Sequence, residues 1–342
     1  MGIKSNYIKS LRQIAGNDIF TPTHISNFAY EKIAIDTTLY LYKFKAAMGD
    51  RWLSGFLNLI KCLRGNLVHP VFIFDGKAPA EKRDEQESRK KDREKLEMKL
   101  DSLNRDIMTY HETGVISEDL SKMVPQNAQF DIQVIEEKVS KKADQVIYIT
   151  PGDFRTIKNL FAMHNIPYYT APTEAEKFCS KLCIDGHVKA TMSDDTDVIA
   201  YKCPITICKL NTSSGGCYVI EHEKLTSALN LTNDQFLDHC ILCGTDYNKN
   251  ITGVGSMLAY KYIVQYESIE EIEKNTKLDT TQLDHVNVRK LFTVFDDYDI
   301  EAIPFCGKPD TKKIEMFFHE NNIPMNVNYY ISNLENNHIY ME

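Results

Sequence analysis

Short apolar runs rich in β-branched and aromatic residues alternate with stretches of helical periodicity along the first part of the chain. Residues 33–36 (IAID) and 71–75 (VFIFD) suit buried parallel strands, since a strand covered on both faces is apolar throughout. Between them WLSGFLNLIKCLRGNL has a helical period and completes a βαβ unit. Further strands are predicted at 167–171 (PYYTA), 189–193 (KATMS) and 204–210 (PITICKL), with helices over FRTIKNLFAMH and TEAEKFCSKLCIDG. The pattern predicts an α/β fold with a central, mostly parallel sheet flanked by helices.

Residues 80–150 interrupt this alternation. The segment EKRDEQESRKKDREKLEMKLDSLNRDI alternates charge and carries Leu96, Leu100, Leu103 and Ile107 at helical spacing. That is an amphipathic helix with a narrow apolar stripe, a description that also fits a solvated surface helix or a short coiled coil. HETGVISEDLSKMVPQNAQFDIQ contains Gly and Pro and reads as a loop, and IEEKVSKKADQV as a second helix. A helical excursion at this place has the form of a lid or arch. Beyond Asp246 the chain turns helical: ITGVGSMLAYKYIVQ is a glycine-containing turn and a helix, and DHVNVRKLFTVF and DTKKIEMFFHENNI are smaller helices. With no repeat and no low-complexity linker, the parts are expected to pack as one body.

At 342 residues and 43% hydrophobic, the chain can bury the core of one large or two smaller domains. No apolar run approaches the roughly 18 residues of a membrane-spanning helix, and the start lacks a secretory apolar stretch. Met-Gly opens the chain, but Asn6 stands where a myristoylation signal has Ser or Thr. The nine cysteines are expected to be reduced. Cys240 and Cys243 have metal-pair spacing but sit in an apolar helical run without a second pair, and Cys179 and Cys183 are one helical turn apart; all four read as buried thiols.

Seven acidic residues stand at or near the ends of apolar runs: Asp36, Asp75, Glu174, Glu176, Asp195, Asp197 and Asp246. Singly, such a residue can be a helix cap or a partner of a helix dipole, and Thr173 with Glu176 fits a capping box. Together they are costly next to buried strand ends unless something positive compensates them. Ligands of open parallel sheets bind at the carboxyl ends of strands, where Asp36, Asp75 and the Asp195/Asp197 pair stand. The ExE and DxD spacings each place two carboxylates close enough for neighbouring ions, and magnesium takes oxygen ligands. Two such ions about 4 Å apart can activate water and stabilise the leaving oxygen of a phosphodiester. The net charge of −8 (pI ≈ 5.7) is then a weak argument against a nucleic-acid partner, because these seven charges belong to the proposed site.

The same residues carry a resemblance. MGIKSNYIKSLR, IAIDTTLYLYKF, VFIFDGKAPAEK, NIPYYTAPTEAEKFCSKL, MSDDTDVIAY and CILCGTDYNKNITGVG resemble, in order over most of residues 1–270, the motifs of the flap endonuclease/XPG family of structure-specific 5′ nucleases. The resemblance implies a PIN-like nuclease core with a helical arch insertion and a helix–two-turn–helix duplex-binding region. The implied divisions are 1–110 for the N-terminal nuclease region and start of the arch, 111–150 for the variable insertion, 151–270 for the internal nuclease region and 271–342 for a C-terminal helical region.

The resemblance also implies roles. Asp36, Asp75, Glu174 and Glu176 would hold one side of a pair of Mg2+ ions, which Mn2+ can replace, and Asp195, Asp197 and Asp246 the other. Asp194 would be an outer acidic residue. Lys82 and Arg89, seven apart and on one face of a continuous helix, would draw the scissile phosphate onto the metals and stabilise its developing charge. Tyr42 would stack a nucleotide, although a core aromatic has the same spacing. Gly253 and Gly255, with Lys261, would approach the duplex backbone beside a K+ ion. Here the chain departs from the family: Ser256, Met257 and Leu258 stand where a basic pair is usual, and Asn250 replaces an ion-binding serine, with Lys249 and Lys261 as partial compensation. The tail NNHIYME lacks the family's basic, clamp-binding motif, so no sliding-clamp contact is expected through it.

The expected activity is magnesium-dependent endo- and exonucleolytic cleavage of branched, 5′-flap DNA near single-strand/duplex junctions, in replication, repair or recombination. The expected form is a monomer without membrane contact, in the nucleus (the host nucleus for a viral member), with the cytoplasm as the alternative. An RNA-directed nuclease of the same fold is the other reading, since metals on phosphate do not sense the 2′-hydroxyl. A haloacid-dehalogenase-type phosphatase would carry its DxD on the first strand, whereas here it follows residue 190. A catalytically dead binding module would have lost carboxylates, and none of the seven is missing.

Overall fold

A computed structural model describes residues 2–4, 6–125 and 129–336; the tail from residue 337 on, where clamp binding is in question, lies outside them. Seven strands form one sheet: β1 (Thr21–His24), β2 (Lys32–Asp36), β3 (His69–Phe74), β4 (Tyr168–Thr170), β5 (Ala190–Met192), β6 (Ile205–Cys208) and β7 (Gly216–Glu221), in the order β1-β7-β6-β5-β2-β3-β4. β2 lies parallel to β3 and β5, and β3–β4 and β5–β6 are parallel too. β7 runs antiparallel to both β6 and β1.

The sheet is therefore mixed: the expected parallel core is corrected at one edge by two antiparallel pairings. The cause is local. After β6, Asn211 Oδ1 accepts the amides of Ser213 and Ser214 at 2.9 and 3.1 Å, and Gly215 turns with φ of +75°. This Asx-type turn folds β7 back on β6 as a hairpin. β1, polar and with Pro22, then fills the edge, where a missing N–H is tolerated.

α1 (Tyr7–Ala15) precedes β1, and after β2 the chain continues through α2 (Thr37–Met48) and α3 (Trp52–Gly65). The insertion follows β3 as α4 (Arg83–Thr113), α5 (Glu118–Lys122) and α6 (Ile132–Ala143). At 31 residues α4 is about 46 Å long. The stretch expected as a loop is thus partly helical: α4 extends to Thr113, and Ser117 caps α5 by accepting Leu120 N at 3.2 Å. Then come α7 (Pro151–Met163), α8 (Ala175–Ile184), α9 (Asp197–Ala200), α10 (His222–Leu229), α11 (Asn233–Cys243), α12 (Ser256–Tyr266), α13 (Ile269–Asn275), α14 (His285–Thr293), α15 (Thr311–Glu320) and α16 (Val327–Asn336).

One face of the sheet packs on α3, α7, α15 and α16, with Phe72 and Phe161 stacked at 3.9 Å. The other carries α8 through Ala175, Phe178 and Leu182. α1 and α10–α14 share a separate core around Tyr7, Phe236 and Phe292. In the insertion, Leu100, Leu103 and Ile107 of α4 pack with Leu120, Ile135 and Val139 into a small core of their own. All nine cysteines are buried free thiols.

Candidate active site

The acidic residues are placed by strand ends, by the starts of the helices that follow, and for Asp246 by the turn after α11. Asp36 ends β2 and caps α2, its Oδ1 accepting Leu39 N at 3.0 Å. Asp75 follows β3 and reaches the neighbouring turn, where Oδ1 accepts Ala175 N at 2.8 Å. It thus caps α8 from another strand. The Thr173–Glu176 capping box does not form: Glu174 takes the N-cap position, and the Thr173 hydroxyl donates to Asp296 at 2.7 Å. Asp195 Oδ1 accepts Asp197 N at 3.0 Å, which opens α9. Asp246 lies in a turn that Asn248 Oδ1 holds by accepting Thr245 Oγ1 at 2.8 Å.

Two glycines allow these segments to meet. Gly76 N donates to Thr173 O at 2.6 Å, and a Cβ there would stand 2.0 Å from Ala171 O. Gly2, with φ of +82°, packs on the DxD turn; a Cβ there would stand 2.1 Å from Asp195 Oδ1. Neither side-chain-free contact was legible as a site feature, since each depends on a segment distant in sequence.

Six of the seven carboxylates line one cleft of about 410 Å³: Asp36, Asp75, Glu174, Glu176, Asp195 and Asp246. Asp197 lies just beneath, 1% exposed. From the base of α4, Lys82 Nζ enters the cleft and stands 3.3 Å from Glu176 Oε1 and 3.2 Å from Asp246 Oδ2, in contact also with Glu174 Oε1. Arg89 Nη2 pairs with Asp246 Oδ2 at 3.0 Å while its Nε holds Glu85 at 2.7 Å. Lys82, just before α4, and Arg89, in its second turn, both reach the acids.

Two cations cannot compensate seven acids. Burial raises the Asp36 carboxyl well above its ordinary value, and Asp75 raises it further. Burial likewise raises Glu176 and Asp195, and Asp197 rises through burial and the charge of Asp195. Burial disfavours the charged form of Lys82, but Glu176, Glu174 and Asp246 outweigh it and hold the ammonium protonated. Among the described residues no group of three or more ligand-type side chains stands in a ready-made metal geometry. The Lys82 ammonium occupies the space between three of the carboxylates, in the place of a cation. Asp197 Oδ1 is buried without a hydrogen-bond partner. An orphaned, buried carboxylate oxygen beside an all-oxygen donor set fits a hard divalent ion.

This charge imbalance sets a pH dependence. An acid whose folded-state pKa is raised binds its proton more tightly in the folded chain. The associated stability is present below the unfolded carboxylate range and is lost as pH rises through the raised values. In EDTA the melting temperature is expected to fall as pH rises above the ordinary carboxylate range of about 4, and the increase on adding Mg2+ to grow over the same interval. Thermal melts across that range check both; a Mg2+ shift independent of pH would contradict the assignment.

The remaining predicted residues are spread wider. Tyr42, on α2, is 38% exposed and lines the cleft mouth, so it is not a core aromatic. Gly253, with φ of +84°, and Gly255 form the turn before α12, on which Lys261 is exposed; none of the three enters the acidic cleft. Asp194 points away, pairing with Lys43 at 2.5 Å and accepting Lys209 N at 2.7 Å. Met257 and Leu258 are exposed beside the glycine turn.

Residues 1–96 match the XPG N-terminal domain and residues 165–246 the XPG I-region. The chain is 34% identical over 333 residues to the "Probable RAD2-like endonuclease 076L" of Invertebrate iridescent virus 3, covering 86% of each. It is 30% identical over 303 residues to the "Flap endonuclease 1" of Cryptosporidium parvum, covering 78% of this chain and 56% of that one. The catalytic core of Rad2, solved in complex with a DNA substrate, superposes with a TM-score of 0.68 at 18% identity over 96% of this chain and 99% of that one. The chain belongs to the XPG family of nucleases, and it is a metal-dependent, structure-specific endonuclease. Its fold is that of the Rad2 core with a mixed seven-stranded sheet, not the PIN-like core expected from the sequence.

Proposed function

We propose that the chain cleaves 5′-flap DNA beside the junction of single strand and duplex, using two magnesium ions. The observation that carries this reading is the meeting, in one cleft, of six carboxylates with Lys82 and Arg89 from the base of the insertion. Asp36, Asp75, Glu174 and Glu176 would hold one ion, and Asp195, Asp197 and Asp246 the other. Bound metal would supply an activated water and a counter-charge for the phosphodiester.

The chain's own groups do the rest. Lys82, already charged in the cleft, and Arg89 attract the scissile phosphate and offset charge developing on its oxygens. Tyr42 at the mouth offers an aromatic face to an unpaired base. The turn at Gly253 and Gly255 would contact the duplex backbone, with Lys261 adding a positive charge, and a K+ ion there belongs to the same proposal. The exposed Met257 and Leu258 add no charge there, so duplex binding through this turn should show a shallow salt dependence. The chain would act as a monomer.

The test is cleavage of end-labelled 5′-flap DNA, matched duplex, single-stranded DNA and RNA, with Mg2+ or EDTA. Flap cleavage near the junction that EDTA abolishes supports the reading. Degradation of RNA with the flap left intact would sink it in favour of an RNA-directed enzyme. Replacing K+ by Na+ should weaken flap binding without changing the cut position, if the glycine turn holds potassium.

A further inference from the structure

Behind Glu174 lie two tyrosines that the charge of the cleft does not explain. Tyr247 follows Asp246, and its hydroxyl donates to Glu174 Oε2. Tyr201 stands at the end of α9, the helix that Asp197 opens, and its N–H donates to Asp197 O at 3.0 Å. The two phenol oxygens are 2.5 Å apart. Proton count sets the direction of this chain. A carboxylate can only accept, so the single proton of Tyr247 goes to Glu174, and Tyr201 must donate to the oxygen of Tyr247. Phe292 of α14 wedges both rings, with centroids 4.8 Å from Tyr201 and 5.2 Å from Tyr247.

The consequence is a constraint on the acidic set. With Oε2 held by Tyr247, Glu174 turns Oε1 into the cleft, where it meets Lys82. Tyr247 is the covalent neighbour of Asp246, and Tyr201 is bonded to the helix of Asp197. The two hydroxyls therefore tie Glu174, on one side of the acidic set, to Asp197 and Asp246 on the other. We propose that Tyr247 is a positioning residue, backed by Tyr201, that orients Glu174 and fixes the separation of the two metal-binding halves. The inference rests on the nuclease reading above.

Outer partners of a metal-bound carboxylate set its orientation and commonly change metal affinity by about 10- to 100-fold. Tyr247→Phe keeps the ring against Phe292 and removes only the hydroxyl. Mn2+ binding to the DNA-free protein, followed by loss of the free-ion electron paramagnetic resonance signal, is expected to weaken roughly 10-fold in this variant. In Tyr201→Phe it should weaken less, because Tyr247 can still donate. Cleavage by Tyr247→Phe should need more Mg2+ for half-maximal rate and recover most of its rate at saturation. In a Glu174→Ala background the same substitution should weaken Mn2+ binding no further; a tyrosine that merely packs would have the same effect in both backgrounds. Unchanged Mn2+ affinity in Tyr247→Phe, or an equal loss with and without Glu174, overturns the inference. If the wild-type chain itself neither binds Mn2+ nor cleaves flap DNA, the nuclease reading fails and takes this one with it.

Discussion

Asp195→Asn is expected to reduce flap cleavage on the order of 10³-fold, the scale seen when one electrostatic partner of a reacting centre is removed. It should do so while raising the melting temperature of the metal-free protein at neutral pH. The two effects share one cause. Asp195 is nearly buried, its carboxyl is raised by burial, and its Oδ1 accepts the Asp197 amide, a bond that an asparagine oxygen can also accept. The substitution therefore keeps the turn and deletes one charge from a crowded acidic set. With that charge gone, binding of flap DNA in EDTA should be unchanged or tighter. Single-turnover cleavage, filter binding and thermal melting measure the three quantities, and a parallel loss of activity and stability would mean that Asp195 holds the fold rather than the metal.

Lys82→Ala is expected to act in the opposite sense on stability and the same sense on rate. The ammonium lies among Glu174, Glu176 and Asp246 and is 13% exposed, so its loss leaves three carboxylates facing one another. Removing one partner of a buried ion pair costs about 3 kcal/mol or more, and the metal-free variant should melt correspondingly lower. Mg2+ is expected to restore most of that stability, because the ions replace the missing positive charge. It should not restore the rate, which is expected to stay about 10²-fold down with flap affinity changed far less. A variant that binds flap DNA poorly but cleaves bound DNA at the normal rate would show that Lys82 anchors substrate and takes no part in the chemical step.

The acidic set was legible because each residue sits near an apolar run: IAID and VFIFD put Asp36 and Asp75 at the ends of β2 and β3, whereas the run before Asp246 is the helix α11. Burial and proximity then followed from sheet topology. What the pattern could not carry was any relation between residues far apart in sequence. Asp75 capping α8, Gly76 admitting Thr173 O and the Tyr201–Tyr247–Glu174 chain each join segments that only the sheet brings together. The Thr173–Glu176 spacing was misleading for the same reason, since a tertiary cap displaced the local one. The β6–β7 hairpin is a different case. Its turn, NTSSGG, carries ordinary local signals, but the flanking strands are short and β1 is polar, so hydrophobic pattern alone gave no reason to add an antiparallel edge.

The private core of the insertion gives it an independent thermodynamic life. Leu100, Leu103, Ile107, Leu120, Ile135 and Val139 bury one another and not the sheet, so the distal half of α4 with α5 and α6 can melt or tilt while the acidic cleft keeps its shape. Lys82 and Arg89, at the proximal end of the same helix, are tethered to the catalytic body through Asp246. The insertion thus behaves as an exchangeable cassette on a fixed stem. Grafts from relatives with longer or shorter insertions should alter which strand ends are admitted, while the position of the cut is still set by the stem.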